Sequence, residues 1–454
     1  MTIQDTRIKK LNRASAIRGD YVLYWMQQSQ RAQDNHALEY AIIEANRQDK
    51  MVIVVFGLTP DYPDANLRHY TFMLEGLKET QEILSARGIR MIFRIGHPVQ
   101  TVLDIGRKAC MIVCDRGYLK HQVAWRTEVA KKSDCPVVQV ETDVVVPIDQ
   151  VSGKAEYAAY TIRPKITRQL DQYLIPVDQI DVKHSSLALQ VTGMDLENIP
   201  TILSDLGINN AILPVSPIFT GGNLEAKARF DLFLNQSFPK YADHRNEPKF
   251  RDVSHMSPYL HFGQISPVYL ALRIKAHATI NPESEASYLE ELIVRRELAA
   301  NFVYFNPSYD SLDGLPAWAK KTLADHRDDT REHLYTKPQL IEGRTHDEYW
   351  NAAMREMILT GYMHNHMRMY WGKKILEWSR TPEIAYDTII GLNNAYFLDG
   401  RDPNSYAGAG WIFGLHDRAW FERPIFGKIR YMAASGLERK CDIKGYVNRV
   451  NSIS

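Results

Sequence analysis

Cysteine is scarce in this chain, with four residues among 454: Cys110, Cys114, Cys135 and Cys441. No two of them form a C-x-x-C pair, and none is spaced from a histidine as zinc ligands are. This pattern excludes a disulfide framework and argues against a zinc site. We therefore expect no bound metal and a reducing, intracellular setting.

Long apolar runs are also missing. The first residues, MTIQDTRIKKLNRAS, are polar throughout, so we expect no signal peptide there. No stretch reaches the ~20 apolar residues that a membrane-spanning helix requires. We expect a soluble, cytoplasmic protein that makes no contact with a membrane.

Net charge is almost absent, because 55 Lys and Arg residues face 54 Asp and Glu residues. A global positive field is thereby excluded, so any affinity for nucleic acid has to come from local clusters of basic side chains. The length, with 45% hydrophobic and 24% charged residues, is typical of a globular chain with two or three domains.

Short apolar runs alternate with segments of helical periodicity in the first third of the chain. The runs are YVLYWM at 21, MVIVVFGL at 51, RMIFRI at 90, MIVCD at 111 and PVVQVETD at 136. This alternation predicts an open parallel sheet with helices on its faces. Neither G-x-G-x-x-G nor a Walker sequence follows a strand, so a nucleotide in this region would need another means of binding.

The strand pattern stops near residue 150, and the second half of the chain has helical periodicity. We predict helices near 223–238, 266–277, 284–303, 348–378 with a break at Gly361, and 382–394. The predicted organisation is an N-terminal tail (1–18), an α/β domain (19–150), an interdomain linker (151–222) and an all-helical domain (223–454).

The stretch HNHMRMYWGKKILEW, residues 364–378, contains two tryptophans, Trp371 and Trp378, on one face of a predicted helix. A third, Trp350, precedes them. Core packing is the ordinary explanation for such a pair. The alternative is a row of oxidisable indoles that carries an electron hole, and the five basic residues of the same stretch are unusual for a core helix.

Three further segments carry polar chemistry. SHMSPYLHFGQIS (254–266) suits either a helix cap or a phosphate site. LNNAYFLDGRDPNSYAGAGW (392–411) places two carboxylates three residues apart among asparagines and glycines, able to bind a heterocycle. Residues 417–449 hold eight basic and four acidic residues among aromatics, which favours either a nucleic-acid face or a solvated surface.

Taken together, these segments resemble the class II cyclobutane pyrimidine dimer photolyases of the cryptochrome/photolyase family. The matching stretches, in chain order, are YWMQQSQRAQDNHAL, EYAAYTIRPK, SPYLHFGQIS, ELIVRREL, MRMYWGKKILEW, LDGRDPNSYAG and HDRAWFERPIFGKIRYM. The resemblance implies a Rossmann-like, parallel-sheet antenna domain at the N-terminus. It also implies a helical C-terminal domain that binds FAD in a folded, U-shaped conformation.

The resemblance implies four sets of site residues. On the phosphate and ribose side of FAD they are Tyr241, Ser254, Met256 and Ser257; nearer the isoalloxazine ring they are Arg296, Asn365, Arg368, Asn393, Asp399 and Asp402. Asn393 would face the flavin N5. For the lesion they are Glu291, Met369, Trp411 and Trp420. For electron transfer they are Trp371, then Trp350, then Trp378 toward solvent; for the DNA they are Arg245, Arg418, Lys428 and Arg430.

The implied reaction is light-driven repair of UV-damaged DNA by a monomer. Excited, fully reduced, anionic FAD would give one electron to the flipped-out dimer, and the electron would return after the cyclobutane ring splits. Photolyases are among the enzymes known to flip their target out of the duplex. The resemblance also implies an antenna chromophore, for which we favour a deazaflavin over a folate and leave an empty site open.

The main alternative is a cryptochrome-like flavin photoreceptor without repair activity. The residues implied for the lesion and the basic C-terminal segment favour repair. Two positions depart from the pattern of the relatives: Arg295 follows the lesion glutamate where some carry a tryptophan nearby, and Asn394 stands where an aspartate is common.

Overall fold

The computed structural model describes residues 3–15, 17–277 and 281–453. The predicted tail thus includes three positions, 1, 2 and 16, that lie outside the described residues. The chain divides into two compact units. The first unit comprises Met1–Gly153, Lys165–Arg229 and Met256–Ala276, and the second comprises Lys154–Pro164, Phe230–His255 and His277–Ser454.

A six-stranded sheet forms the centre of the first unit. Its strands are β1 (Ile8–Lys10), β2 (Tyr21–Trp25), β3 (Met51–Leu58), β4 (Arg90–Ile95), β5 (Ala109–Asp115) and β6 (Val137–Val140). Their order is β1-β6-β5-β2-β3-β4. β1 runs antiparallel to β6, and the other neighbours are parallel. This topology confirms the predicted α/β fold class for the N-terminal part of the chain.

Strand β2 shows why the sheet lies inside the unit. All five of its residues are buried. Val22 and Tyr24 pack in one apolar cluster, while Tyr21, Leu23 and Trp25 pack in another. Because successive side chains of a strand point to opposite faces, these two clusters cover both faces of the sheet.

Helices occupy most of the remaining chain. Up to residue 236 they are α1 (His36–Arg47), α2 (Leu67–Ala86), α3 (Pro98–Gly106), α4 (Lys120–Lys132), α5 (Ile148–Val151), α6 (Ala159–Thr167), α7 (Leu170–Tyr173), α8 (Ile199–Asp205) and α9 (Asn223–Gln236). Beyond it they are α10 (Tyr241–His244), α11 (Ser257–His261), α12 (Pro267–Lys275), α13 (Pro282–Leu289), α14 (Arg296–Phe305), α15 (Ala317–Asp325), α16 (Lys337–Ile341), α17 (Glu348–Thr360), α18 (Asn365–Trp378), α19 (Pro382–Tyr396), α20 (Pro403–Ile412), α21 (Ala434–Lys440) and α22 (Ile443–Asn451).

The predicted helices of the second half are present, and so is the break at Gly361. This glycine follows α17 with a φ of 68°, a left-handed conformation that favours glycine. The predicted helix at 284–303 is interrupted by a π-helical turn, Glu290–Arg295, between α13 and α14. Turns of this kind are frequent at functional sites.

Two predicted boundaries need correction. The N-terminal segment predicted as a tail contributes a strand, since Ile8, Lys9 and Lys10 pair with β6. Most of the predicted linker packs in the first unit, where Met194 forms an antiparallel bridge with Phe93 of the edge strand β4. Short polar segments of this kind cover sheet edges, and periodicity alone does not reveal that function.

All four cysteines are buried and none forms a disulfide. Within the described parts of the chain, no helix has both the length and the apolar character needed to cross a membrane.

Candidate functional site

Three tryptophans of the second unit form a contiguous row. Trp350 lies in α17, and Trp371 and Trp378 lie in α18; they are 0%, 3% and 3% exposed. The Nε1–H group of Trp350 donates to the backbone carbonyl oxygen of Trp371 at 3.0 Å. The ring centroids of Trp350 and Trp378 are 5.6 Å apart. Trp350 therefore contacts both Trp371, through its backbone, and Trp378, through its ring.

Trp378, which the resemblance implies is the member of the row toward solvent, is itself buried. Its ring lies 5.3 Å from that of Tyr335 and 5.3 Å from that of His346. Tyr335 is half-buried and His346 is exposed. The hydroxyl of Tyr335 and Nδ1 of His346 are 2.6 Å apart. This pair, which sequence reasoning missed, separates the row of indoles from solvent.

The ion pair that the resemblance implied between Arg368 and Asp399 is present, with an Nη2 to Oδ2 distance of 2.9 Å. The Arg368 side chain is 24% exposed and that of Asp399 is 10% exposed. The guanidinium also lies 3.9 Å from the ring centroid of Phe397, and its Nε–H donates to the carbonyl oxygen of Met363. The second carboxylate oxygen of Asp399, Oδ1, is buried and has no hydrogen-bond partner among the described residues.

The loop after α19 is held by two neighbouring asparagines. The Nδ2 group of Asn393 donates to Oδ1 of Asn394 at 3.1 Å, and the same oxygen accepts from the backbone N–H of Arg401 at 2.9 Å. A Cβ atom at Gly400 would lie 2.7 Å from the carbonyl oxygen of Asn393, so only glycine fits there. The amide at 394 thus fills a structural position in which an uncharged acceptor suffices.

The adjoining helix α20 begins at Asp402. The Asp402 side chain accepts from the backbone N–H of Asn404 at 2.9 Å and forms a capping box with Ser405. At the start of α18, Asn365 is exposed and Met369, one turn later, is half-buried.

A tyrosine pair lies beside Ser254. The rings of Tyr241 and Tyr288 are 5.4 Å apart, and the Tyr288 hydroxyl donates to Oγ of Ser254 at 3.0 Å. Burial raises the pKa of Tyr241 to about 12. The two remaining residues predicted for the phosphate side lie in the first unit: Met256 is buried just before α11, and Ser257 is the exposed first residue of α11.

Glu291 lies in the π-helical turn, in which a backbone N–H group donates to the carbonyl oxygen of the residue five positions earlier. The backbone N–H of Arg296 donates to the carbonyl oxygen of Glu291. The Glu291 carboxylate pairs with Arg245 at 2.5 Å, and its side chain is 38% exposed. Arg245, predicted for the DNA backbone, is therefore a direct neighbour of Glu291, which is predicted for the lesion. Arg295 is exposed and pairs with Glu290 at 3.1 Å.

Cationic side chains and indole rings alternate in a row that begins at Lys373 of α18. The Lys373 ammonium lies 4.7 Å from the Trp411 ring, and the Arg430 guanidinium lies 5.8 Å from Trp411 and 5.0 Å from Trp420. The Arg418 guanidinium also lies 5.0 Å from the Trp420 ring. We call these five residues the cation–indole row. It runs from buried Lys373, through half-buried Trp411, Arg430 and Trp420, to exposed Arg418.

Lys373 was not among the predicted site residues, because two adjacent lysines on a helix usually indicate a solvated face. Its position, four residues after Met369, was the available signal, since side chains at i and i+4 share a helix face. The ammonium is fully buried and donates to the carbonyl oxygen of Ile412 at 2.6 Å. Burial lowers its pKa from 10.5 to about 7, against the opposing charge of Asp417 and with the help of Arg430.

Comparison with known proteins supports the sequence-based assignment. A family model described as DNA photolyase matches residues 22–183. The deoxyribodipyrimidine photo-lyase of Methanothermobacter thermautotrophicus is 47% identical over 99% of this chain and 99% of its own length. That of Arabidopsis thaliana is 39% identical over 100% of this chain and 94% of its own length.

The chain belongs to the DNA photolyase family.

Relatives extend to animals, since the deoxyribodipyrimidine photo-lyase of Potorous tridactylus is 38% identical over 94% of this chain and 81% of its own length. Two solved structures share the fold. A class III photolyase from Agrobacterium tumefaciens gives a TM-score of 0.75 at 18% identity, covering 96% of this chain and 87% of its own. An archaeal photolyase from Sulfolobus tokodaii with two FAD molecules gives 0.72 at 17% identity, covering 94% and 89%. The predictions of a photolyase enzyme and of its fold class are confirmed.

Proposed function

We propose that this chain is a class II deoxyribodipyrimidine photo-lyase that repairs cyclobutane pyrimidine dimers in DNA with light and FAD. The observation that carries the proposal is the buried row of three indoles together with the Arg368–Asp399 ion pair. The Phe397 ring links the two, since it lies 6.3 Å from the Trp371 ring and 3.9 Å from the Arg368 guanidinium. Packing alone does not explain the buried carboxylate oxygen of Asp399 that has no hydrogen-bond partner among the described residues.

The residues present fit a flavin. The buried Oδ1 atom of Asp399 lacks a hydrogen-bond partner in the described chain and suits an N–H donor of a heterocycle. Arg368, Asn393 and Asp402 would hold the ring side, and Tyr241, Ser254, Met256, Ser257, Arg296 and Asn365 complete the proposed set. Reduced FAD, when bound and excited by light, supplies one electron to the dimer and accepts it again after the ring has split.

Asn393 would control charge at the reactive edge of the flavin. Its side chain is 8% exposed and already donates to Asn394, which fixes the amide in orientation. A neutral amide does not repel a reduced, anionic ring, whereas a carboxylate at the same position would. Arg368 would add a fixed positive charge nearby.

The lesion would be held by Glu291, Met369, Trp411 and Trp420. Arg245 neutralises the Glu291 carboxylate and orients it through a 2.5 Å contact. In this arrangement the Arg245–Glu291 ion pair, and not the carboxyl group alone, would face the pyrimidine carbonyls. Arg418, Lys428 and Arg430 would contact the DNA backbone and the space that the flipped dimer leaves.

Electrons would reach an oxidised flavin from Trp371, followed by Trp350 and Trp378. The 3.0 Å hydrogen bond from Trp350 to the Trp371 backbone carbonyl and the 5.6 Å separation of the Trp350 and Trp378 rings support this sequence of steps. Tyr335 would then connect Trp378 to the surface.

A second chromophore would bind in the first unit, and we favour a deazaflavin over a folate. An aromatic cluster supports this proposal: Tyr62 follows β3, His97 follows β4, and His121 and Trp125 lie on α4 after β5. The ring centroids of His121 are 4.9 Å from Tyr62 and 5.1 Å from Trp125. Ligands of open α/β sheets bind beyond the carboxyl ends of the strands, where a planar chromophore can stack on such rings.

The test combines spectra with repair. The purified protein should show flavin absorption, with an added near-UV or blue band if an antenna is bound. It should convert thymine dimers in an oligonucleotide back into thymines under blue light and not in darkness. Glu291→Ala should lower the repair yield while light-driven reduction of the flavin continues. Light-dependent flavin changes without any repair would overturn the proposal in favour of a photoreceptor.

A further inference from the structure

Phe421 is the most exposed large apolar residue of the described chain, at 91%. Other large apolar residues of the second unit are less exposed, such as Leu334 at 50% and Ile384 at 49%. Single exposed apolar residues are common on protein surfaces, so the exposure of Phe421 is informative only together with the backbone contacts and the charges around it.

Phe421 lies in a hairpin, residues 420–428, whose backbone forms hydrogen bonds within the hairpin and with neighbouring residues. The backbone N–H of Trp420 donates to the Lys428 carbonyl oxygen at 2.8 Å, and that of Lys428 donates to Oγ1 of Thr322 at 3.0 Å. The backbone N–H of Ile425 donates to Oδ2 of Asp329 at 2.7 Å. These hydrogen bonds hold in place the backbone that carries Phe421.

Gly427 shows how closely the 420–428 hairpin is seated. Its φ is +51°, and a Cβ atom there would lie 2.1 Å from Oγ1 of Thr322. Glu422 adds an ion pair to His326, with an Oε1 to Nε2 distance of 3.0 Å. Both observations place the hairpin closely against α15 and the residue that follows it, whereas Phe421 is 91% exposed.

The charges around Phe421 indicate the kind of partner. Arg418, Arg423 and Lys428 are exposed neighbours in the same segment. The acids nearby are engaged: Asp417 accepts from Nε1 of Trp420 at 3.3 Å, and Glu422 pairs with His326. An exposed aromatic ring in a segment that carries three exposed cations suits a nucleic acid, in which phosphates meet the cations and a base stacks on the ring.

Phe421 and Trp420 have different surroundings. Trp420 is half-buried in the cation–indole row, between Arg418 and Arg430. Phe421, the next residue, is 91% exposed, so its ring is not packed in that row. Its occupant therefore lies outside the pocket that we propose for the dimer.

We propose that Phe421 stacks on a base of the duplex that flanks the flipped dimer, and so supports the distorted DNA from outside the lesion pocket. This inference rests on the proposed function and deepens it. Apolar side chains that stack on or enter base steps are an established means of stabilising deformed DNA.

The test measures binding of a duplex that contains one thymine dimer, by fluorescence anisotropy over a range of salt concentrations. Phe421→Ala should weaken binding by roughly tenfold, equivalent to about 1.4 kcal/mol, with an unchanged salt slope because no phosphate contact is lost. Phe421→Trp should bind at least as tightly as the wild type. Lys428→Ala, on the same hairpin, should weaken binding and lower the slope by about one.

Ile384→Ala is the matched control for loss of an exposed apolar side chain, and it should leave the affinity unchanged. A 2-aminopurine base beside the dimer should lose fluorescence on binding wild-type protein and retain more of it with Phe421→Ala. Equal affinity and equal quenching for the wild type and Phe421→Ala would overturn the inference. If the wild type binds this duplex but does not repair it in light, the proposed function fails while the stacking result still decides the role of Phe421.

Discussion

Replacing Lys373 with methionine should stabilise the protein near neutral pH. The Lys373 ammonium is fully buried, and its partners are the carbonyl oxygen of Ile412 at 2.6 Å and the Trp411 ring at 4.7 Å. A buried cation that meets a carbonyl group and a ring is costly to desolvate. Methionine fills a similar space without charge, so the variant keeps the packing and removes that cost.

The magnitude follows from the lowered pKa of Lys373, about 7 in the folded protein against 10.5 ordinarily. Between these values the unfolded chain binds more protons than the folded one, so folding stability rises with pH across this window. Each pH unit corresponds to about 1.4 kcal/mol. The wild type should therefore gain on the order of 2 to 3 kcal/mol in unfolding free energy between pH 7 and pH 9 through this group, and Lys373→Met should lack that gain.

Urea unfolding at the two pH values, followed by far-UV circular dichroism at equal flavin content, measures the difference. Lys374→Met is the matched control. Burial lowers the pKa of Lys374, but the 2.7 Å ion pair with Glu377, together with Tyr431 and Asp347, raises it above the ordinary value. This lysine stays protonated in both states from pH 7 to 9, and its variant should keep the wild-type pH dependence. Equal pH dependence in the wild type and Lys373→Met would refute the reasoning.

Three further predictions concern electron transfer and DNA binding. Trp371→Phe should block light-driven reduction of the bound flavin yet leave repair intact after chemical reduction; undiminished photoreduction would remove this residue from the row. Tyr335→Phe should leave a tryptophan radical as the final oxidised species after a light flash, observed by transient absorption, because the phenol next to Trp378 is gone. A spectrum identical to that of the wild type would show that Tyr335 is not oxidised. Joint replacement of Lys428 and Arg430 by alanine should weaken DNA binding and lower the salt slope by about one per lost phosphate contact, and an unchanged slope would place both side chains away from the DNA.

The helix and sheet elements were predictable because their signals are local. The strand YVLYW is apolar throughout, as strands buried on both faces are, and the structure buries all five residues. The break at Gly361 was visible because a glycine interrupts the helical periodicity, and its positive φ explains the choice of residue. The Trp371–Trp378 spacing likewise placed both indoles on one helix face.

The contacts across the fold were not predictable from local pattern. Nothing in the sequence shows that Tyr335 and His346 pack against Trp378. Lys373 looked like a surface residue because nothing in the sequence shows that α18 is covered at that point by Ile412 and Trp411. Burial at a given position depends on residues distant in the chain, and periodicity reports only which side of an element is apolar.

The hydrogen bond of Trp350 has a consequence for the fate of an electron hole. An oxidised indole becomes a strong acid at Nε1, and loss of that proton would trap the hole where it stands. The Nε1–H group of Trp350 points at the backbone carbonyl oxygen of Trp371, 3.0 Å away, and the side chain is fully buried. A peptide carbonyl is too weak a base to take the proton, and the ring has no surface exposed to bulk solvent. In the proposed row the middle indole would therefore retain its proton when oxidised, and the charge would stay free to pass on to Trp378.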